Sequence, residues 1–280
     1  MSQSRFRFPL LRRALLATAA IVAMAAPGLA QPAPAVAAPP GLVTAGRLTY
    51  GTAATFAPFE FSQDGRLVGF DIEFGEAIAR QMGLEPAPLN IEFRGLIPAL
   101  QGRRVDIINS AMYINPARSE QVDFVPYMRI GQQIVVRRGN PGNVSGRADL
   151  CGRRVAVTLG GIQETYARQD NERCRAAGRG EVTVMTFPTA QDAALSVRQG
   201  RADAYYESTA GVARIVAEMA DVYQAVGDVF EWGTQIGIAV RKGDTATAQA
   251  IDAAIRRLVA DGTYRRLMEK YNLPAEGNIF

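Results

Sequence analysis

Residues 93–120, with the sequence FRGLIPALQGRRVDIINSAMYINPARSE, contain the pattern that decides the fold. Residues 96–101 have helical character that Gly102 ends, and the apolar run at 105–109 follows as a buried strand. Asn115-Pro116 then opens another helix, because asparagine is a favoured N-cap and proline suits a first helical turn. Helices and a buried strand that alternate in this way indicate an α/β fold.

The same alternation extends in both directions along the chain. Upstream, a strand is predicted at 47–52, a small hairpin turns at Asp64-Gly65, a helix is predicted at 72–82 and a strand at 89–93. Further strands are predicted at 132–137, 155–158, 182–187, 204–206 and 236–240. Helices are predicted at 162–177, 190–199, 209–219, 246–260 and 263–271. The pattern is typical of mainly parallel sheets flanked by helices.

Two such units are joined where the chain crosses near 133–138 and again near 231–237, which predicts two lobes and two hinge strands. The first lobe is expected to comprise residues 46–134 and 238–280, and the second residues 135–237. Ligands of α/β folds bind at the carboxyl ends of strands and at helix N-termini. We therefore expect a binding site in the cleft between the lobes.

The N-terminus has the pattern of a secretory signal peptide, residues 1–30. Four arginines precede the apolar segment 14–26, and Gly28-Leu29-Ala30 provides small residues for cleavage. The alternative is an uncleaved anchor, and the Arg12-Arg13 pair leaves open whether export uses the general or the twin-arginine route. Because no cysteine lies near this position, we expect a periplasmic protein rather than a lipoprotein. Residues 31–45, rich in proline and alanine, are predicted to form a flexible leader.

The net charge and the rare residue types exclude several classes of function. The formal net charge of +4 comes entirely from the four arginines of the signal segment, which leaves the rest of the chain neutral, so nucleic-acid binding is not expected. The chain contains no histidine, which excludes His-based catalysis and nearly all zinc sites. We expect no metal and no cofactor. Cys151 and Cys174 are expected to form a disulfide in an oxidising compartment, the alternative being two free thiols.

Seven segments, in order, resemble extracellular solute-binding proteins of family 3, which serve ABC importers of polar amino acids. The segments are GTAATFAPFEF (51–61), GRLVGFDIEFGEAIARQMG (65–83), FRGLIPALQGRRVDIINSAMYINPARSEQVDFVPY (93–127), RRVAVTLGGIQETYA (153–167), GRADAYYES (200–208), IGIAVRKGD (236–244) and ADGTYRRLMEKY (260–271). The resemblance covers about residues 46–272. It implies a type II periplasmic-binding-protein fold whose two lobes close on a ligand. It also implies a monomer that delivers a small polar solute to a membrane permease.

The resemblance also implies the residues of the first lobe that contact the ligand. Arg118, in the first turn of its helix, would bind a ligand carboxylate in a bidentate manner. Ser110, Ala111 and Tyr113 would lie on the preceding loop and offer backbone N–H groups and the serine hydroxyl. Tyr113 replaces the usual threonine or serine. Two aromatic walls would come from Phe56 and Phe93.

In the second lobe, Gly161, Ile162 and Gln163 would present a helix N-terminus to the ligand. Relatives usually have an aspartate at position 208, where it holds the ligand's α-ammonium group, whereas this chain has Ser208 preceded by Glu207. Either Glu207 takes over that role, or the ligand lacks an α-ammonium group. Four further residues match family positions and are expected to have structural roles: Asp71, Asp106, Asp123 and Asp203.

The ligand's identity and two alternative functions remain open at this point. Relatives that bind cationic amino acids often carry an acid at the position of Ala53, so this residue argues against lysine or arginine. One alternative is an enzyme on the same fold, similar to cyclohexadienyl dehydratase, with Glu207 as general acid. The other is a sensor or adaptor that reports ligand occupancy to a different partner. We expect a binding protein rather than an enzyme.

Overall fold

The computed structural model describes residues 34–280, so the predicted signal peptide and residues 31–33 of the leader lie outside the described residues. Residues 34–45 were predicted as part of a flexible leader, but several of their groups contact the folded body. The Val36 N–H donates to the Gln81 carbonyl at 3.0 Å, and the Val43 N–H donates to the Asp106 carboxylate at 2.7 Å. Val36 also packs against the hydrophobic core.

Residues 34–280 form strands and helices that alternate along most of the chain. The strands are β1 (Arg47–Thr52), β2 (Thr55–Phe56), β3 (Glu60–Gln63), β4 (Arg66–Val68), β5 (Glu85–Asn90), β6 (Ile107–Tyr113), β7 (Val122–Arg129), β8 (Gln132–Arg137), β9 (Arg154–Thr158), β10 (Thr183–Phe187), β11 (Ala204–Ser208), β12 (Tyr223–Phe230) and β13 (Gln235–Arg241). The helices are α1 (Phe70–Gln81), α2 (Leu96–Gln101), α3 (Pro116–Ser119), α4 (Ile162–Ala176), α5 (Ala190–Arg198), α6 (Thr209–Glu218), α7 (Thr245–Ala260) and α8 (Thr263–Lys270). None of these helices is long and apolar enough to cross a membrane.

The strands form two five-stranded mixed sheets and one small sheet. The first sheet has the order β5-β1-β6-β13-β7, with β5, β1 and β6 parallel and β13 antiparallel to both neighbours. The second has the order β10-β9-β11-β8-β12, with β10, β9 and β11 parallel and β8 antiparallel to both neighbours. The predicted α/β class with helix-flanked sheets is therefore confirmed, and β2, β3 and β4 form the predicted hairpin region.

The chain passes between the two large sheets twice, at residues 130–131 and 231–234. The sequence predicted these crossings near 133–138 and 231–237. The first crossing lies earlier because β8 pairs with β11 and β12 from Gln132 onward. The division into two lobes that move relative to each other stays a prediction.

Strand β5 was predicted at 89–93 but runs over Glu85–Asn90, and residues 93–95 form a 3-10 turn. The prediction was wrong because Pro86 and Pro88 argue against a strand. The Glu85 N–H donates to the Gly46 carbonyl, just before β1, and the Ile91 N–H donates to the Thr52 carbonyl at the end of β1. Since alternate residues of a strand point the same way, the two prolines face away from β1, where no partner strand needs an N–H.

The second region, which contains the sheet β10-β9-β11-β8-β12, includes the predicted disulfide, which is confirmed. Cys151 and Cys174 are bonded with their Cα atoms 5.5 Å apart, which links the segment before β9 to α4. A cross-link over a loop of this length stabilises a fold by roughly 3 kcal/mol on the chain-entropy model. The first region, which contains the sheet β5-β1-β6-β13-β7, has a cluster of packed aromatic rings, among them Phe70, Phe74 and Tyr127, with no exposed surface.

Candidate functional site

A cavity of about 40 Å³ lies where residues of the two regions meet, with room for about three water molecules. Eight of the eleven predicted ligand-binding residues line it. They are Phe56, Phe93, Ala111, Tyr113, Gly161, Ile162, Gln163 and Glu207. The other residues that line the cavity are Ala53, Thr55, Thr158, Ala190 and Tyr206. A solute of amino-acid size must therefore enlarge the cavity as it binds.

Arg118 does not line the cavity, but its guanidinium group lies between residues that do. It donates to the carbonyl of Tyr113 at 2.7 Å and to that of Gly160 at 2.8 Å, and its Cζ lies 5.2 Å from the centre of the Phe93 ring. As predicted, Asn115 caps the helix, accepting the Arg118 N–H at 2.9 Å. The side chain has partners from both regions of the molecule.

The charge of Arg118 has no counter-ion within residues 34–280. The residue is only 8% exposed, and burial lowers the pKa of its guanidinium group to about 10. It therefore stays charged at neutral pH. A buried charge without an ionic partner is costly, and an anion that reached this group would offset that cost.

Glu207 is the corresponding buried anion of the second region, at 4% exposure. Its carboxylate accepts hydrogen bonds from the Tyr205 hydroxyl and from the Ser208 N–H. Burial nevertheless raises the pKa of Glu207 to about 7. A Cβ atom at Gly211 would lie 2.6 Å from the Glu207 carboxyl carbon, so any larger residue there would displace this side chain.

Ser208, in contrast, is fully buried and does not line the cavity. Its hydroxyl accepts the Gly211 N–H at 3.0 Å, which makes Ser208 the N-cap of α6. Of the two adjacent residues that the sequence left as alternatives, only Glu207 faces the cavity.

Ser110, Ala111 and Tyr113 lie on β6 and not on a loop, so that expectation was wrong. The strand was predicted to end at Asn109, but its pairing with β13 continues to Tyr113. The Ser110 hydroxyl accepts the Ala53 N–H at 2.9 Å and donates to Glu60 at 2.8 Å, and Ser110 does not line the cavity. The Ala111 N–H donates to Asp71 at 2.5 Å. Both groups that were expected to serve a ligand are thus already bonded within the protein.

Tyr113 and Gln163, from opposite sides of the cavity, are linked through Gln132. The Gln132 side-chain amide donates to the Tyr113 hydroxyl at 2.8 Å, and its carbonyl accepts from the Gln163 amide at 2.9 Å. The sequence did not point to Gln132. The available signal was a pair of glutamines directly before the apolar residues of the strand QQIVVR.

Residues 48–274 match the model of the bacterial extracellular solute-binding proteins, family 3. The chain belongs to this family. It is 30% identical over 228 residues to the L-cystine-binding protein TcyJ of Escherichia coli K12, which covers 81% of this chain and 82% of that protein.

Two solved structures resemble this solute-binding protein over most of its length. An ancestral arginine-binding protein bound to arginine has a TM-score of 0.74 and 37% identity, covering 81% of this chain and 98% of that one. An ancestral amino acid-binding protein, described as a precursor of cyclohexadienyl dehydratase, has a TM-score of 0.71 and 33% identity. That match covers 81% of this chain and 95% of the ancestral one. These neighbours establish the two-domain periplasmic-binding-protein fold.

The first region of this solute-binding protein also contains two fully buried acids, Glu60 and Asp71, close behind the cavity wall. Asp71 accepts the Ala111 N–H and the Tyr127 hydroxyl, the latter at 2.7 Å, while Glu60 accepts from Ser110. Burial raises the pKa of Asp71 to about 7 and that of Glu60 well above its ordinary value. The pair therefore supports β6 at the cavity. The sequence predicted a structural role for Asp71 but missed Glu60.

The other aspartates with a predicted structural role, Asp106, Asp123 and Asp203, also connect elements. Asp106 accepts the N–H groups of Val43 and Thr49, and Asp123 bonds to Lys242 and Gly243. Asp203 is bonded to Arg154 through both carboxylate oxygens. Those three predictions are confirmed.

Proposed function

We propose that this protein is the periplasmic substrate-binding component of an ABC importer and captures a small zwitterionic solute, an amino acid or a close analogue. The observation that carries the proposal is the pair of buried, oppositely charged residues Arg118 and Glu207. They belong to different regions of the chain, and neither has an ionic partner within residues 34–280. A solute with a carboxylate and an ammonium group would pair with both.

Binding requires Arg118 to exchange its partners. Its guanidinium group donates to two neutral carbonyls, those of Tyr113 and Gly160. A carboxylate would accept the same N–H groups through charge-assisted hydrogen bonds, which are roughly twice as strong. Ala53, Phe56, Phe93 and Ile162 would enclose the rest of the solute. Micromolar affinity needs about 8 kcal/mol in total, which such a set of contacts can supply.

The ligand's side chain is expected to be uncharged. Apart from Glu207, the residues that line the cavity include no acid and no base. A guanidinium or ammonium side chain would therefore lose its hydration without gaining an ionic partner. Among the compounds named for the similar proteins, arginine does not fit this expectation, because its guanidinium side chain is cationic. This expectation agrees with Ala53, which already argues against lysine or arginine as the ligand.

The remaining parts of the proposal concern location and partners. The sequence features of residues 1–30 support export with signal-peptide cleavage and no lipid anchor. We propose that each large sheet with its helices moves as one lobe, and that closure creates the surface that a membrane permease recognises. The protein is expected to act as a monomer.

Thermal melting of residues 31–280 with a panel of solutes tests the function. The panel contains the common amino acids, cystine, deaminated and decarboxylated analogues, and small dicarboxylates. A ligand at 100 times its Kd stabilises the native state by about 2.7 kcal/mol. We expect a neutral amino acid to raise the melting temperature of the native protein and of Arg94→Ala, whose arginine is exposed on the segment after β5. No shift is expected for Arg118→Ala. A shift produced only by carboxylates without an amine would overturn the amino-acid assignment.

An enzyme is the second candidate, because the pKa of about 7 suits Glu207 to general acid catalysis. One of the similar structures is a precursor of cyclohexadienyl dehydratase, although it is itself described as a binding protein. We expect a binder without turnover. Incubation with prephenate and L-arogenate, followed by absorbance, tests this, and product formation that disappears in Glu207→Gln would favour the enzyme.

A further inference from the structure

We propose that Gln132 is a positioning residue for ligand binding, which links one polar side chain from each side of the cavity and favours the closed arrangement. The inference rests on the proposed function. Gln132 itself does not line the cavity. Its amide contacts Tyr113 on β6 of the first sheet and Gln163 in the first turn of α4 beside the second sheet.

The location of Gln132 suits this role. It is the first residue of β8, directly after the crossing at 130–131, and it is fully buried. Its backbone is fixed by pairing with Ser208 of β11 and Phe230 of β12. The side chain therefore extends from a rigid point in the second sheet to a residue of the first. The Tyr113–Gln132 bond is a buried polar contact that joins the two regions next to the crossing.

The bonding pattern leaves polar groups available to a ligand. The Tyr113 oxygen accepts from Gln132, so its own O–H remains a donor, and burial raises the pKa of Tyr113, which keeps it protonated. Both Tyr113 and Gln163 line the cavity. With Gln132 in place, each polar group is held in one orientation. Without it, the Tyr113 hydroxyl and the Gln163 amide would each lose a buried partner.

Gln132→Leu removes both hydrogen bonds and keeps a side chain of similar size. Gln133→Leu is the matched control, because Gln133 is the next residue of β8 but is partly exposed, and its side chain donates to the Gly227 carbonyl. Losing one or two buried hydrogen bonds corresponds to about a 5- to 30-fold change in an equilibrium constant. We expect the ligand dissociation constant of Gln132→Leu to rise within that range, mainly through faster dissociation. The control should stay within twofold of the native protein.

A measurement without ligand separates this inference from the proposed function. Spin labels at two exposed positions, Gln101 on α2 and Leu195 on α5, report the distance between the two regions. In the ligand-free protein, Gln132→Leu should shift the distance distribution toward longer values, whereas Gln133→Leu should not. If no solute in the panel binds, the proposed function fails, but the distance measurement still tests Gln132.

Tyr113→Phe gives a second route should Gln132→Leu fail to fold, because it removes the same link and leaves the Gln132–Gln163 bond. Its effect on distance and affinity should be non-additive with that of Gln132→Leu. An unchanged distance distribution and dissociation constant in both variants would overturn the inference. So would a lower melting temperature with an unchanged distribution, since that result describes a merely structural glutamine.

Discussion

The two sides of the cavity each have a buried ionisable residue, and the two residues differ in how completely they are charged near neutral pH. Arg118 projects from a short helix, and its pKa of about 10 leaves it charged at any physiological pH. Glu207 lies on a central strand, and its pKa of about 7 leaves it only partly ionised near neutrality. Burial acts against both charges, but only the carboxylate lies within reach of neutralisation. The cationic side is thus permanent, and on the proposed function a ligand's ammonium group would favour the ionised form of the anionic side.

The largest effect is expected from Arg118→Ala, which removes the permanent charge. We expect the dissociation constant to rise by about 100-fold or more, since charge-assisted bidentate bonds are lost. Isothermal titration with the ligand found in the panel measures this. Arg118→Lys retains the charge without the planar fork and should recover only part of the affinity. Equal binding by native protein and Arg118→Ala would remove Arg118 from the site.

Glu207→Gln is expected to weaken binding of an amino acid by about 30-fold, which corresponds to about 2 kcal/mol. It should leave binding of the deaminated analogue nearly unchanged, because that analogue has no ammonium group to pair. Glu218→Gln, in the groove next to the cavity, is the control. An equal loss of affinity for both compounds would show that Glu207 supports the fold and does not pair with the ammonium group.

The affinity for an amino acid should depend on pH through the ionisation of Glu207. In the free protein Glu207 is protonated below pH 7, whereas an ammonium partner favours its ionised form. Binding therefore releases a proton, and affinity should increase by nearly tenfold per pH unit between about pH 5 and pH 7. Titrations over this range should show the slope in the native protein and a flat profile in Glu207→Gln. A slope that persists in the variant would assign the proton to another group.

The free energy of unfolding should change with pH in the opposite direction, because of the buried acids Asp71 and Glu60 behind the cavity wall. The folded pKa of Asp71, about 7, exceeds its unfolded value, so the folded state binds more protons between about pH 4 and pH 7. The free energy of unfolding should fall as pH rises through this window. Asp71→Asn should reduce that fall by about 1 kcal/mol per pH unit, measured by urea titration. The exposed Asp252→Asn should behave like the native protein.

The smallest effect is expected from Ser208→Ala. Loss of the N-cap of α6 should lower the free energy of unfolding by about 1 kcal/mol. The dissociation constant should remain within twofold of the native value, because Ser208 does not face the cavity. A large loss of affinity at unchanged stability would instead make Ser208 a ligand contact.

The sequence predicted the alternation of elements well because helix ends and buried strands leave local signals, such as Asn115-Pro116 and Gly102. Strands β7 and β12 were missed, since neither has a clear alternation of apolar and polar residues. The site was predicted through the family resemblance, which pointed to Arg118 but could not decide between Glu207 and Ser208. That choice depends on which strand residue faces the cavity. Gln132 and Glu60 were missed because their importance arises only from contacts between distant segments.

The prolines of β5 have a consequence for contacts between copies of the chain. An uncovered sheet edge is a template on which another extended chain can add a strand. Pro86 and Pro88 have no N–H to donate outward from this edge, so an added strand would lack two backbone hydrogen bonds. Edge-to-edge pairing along β5 is thereby disfavoured.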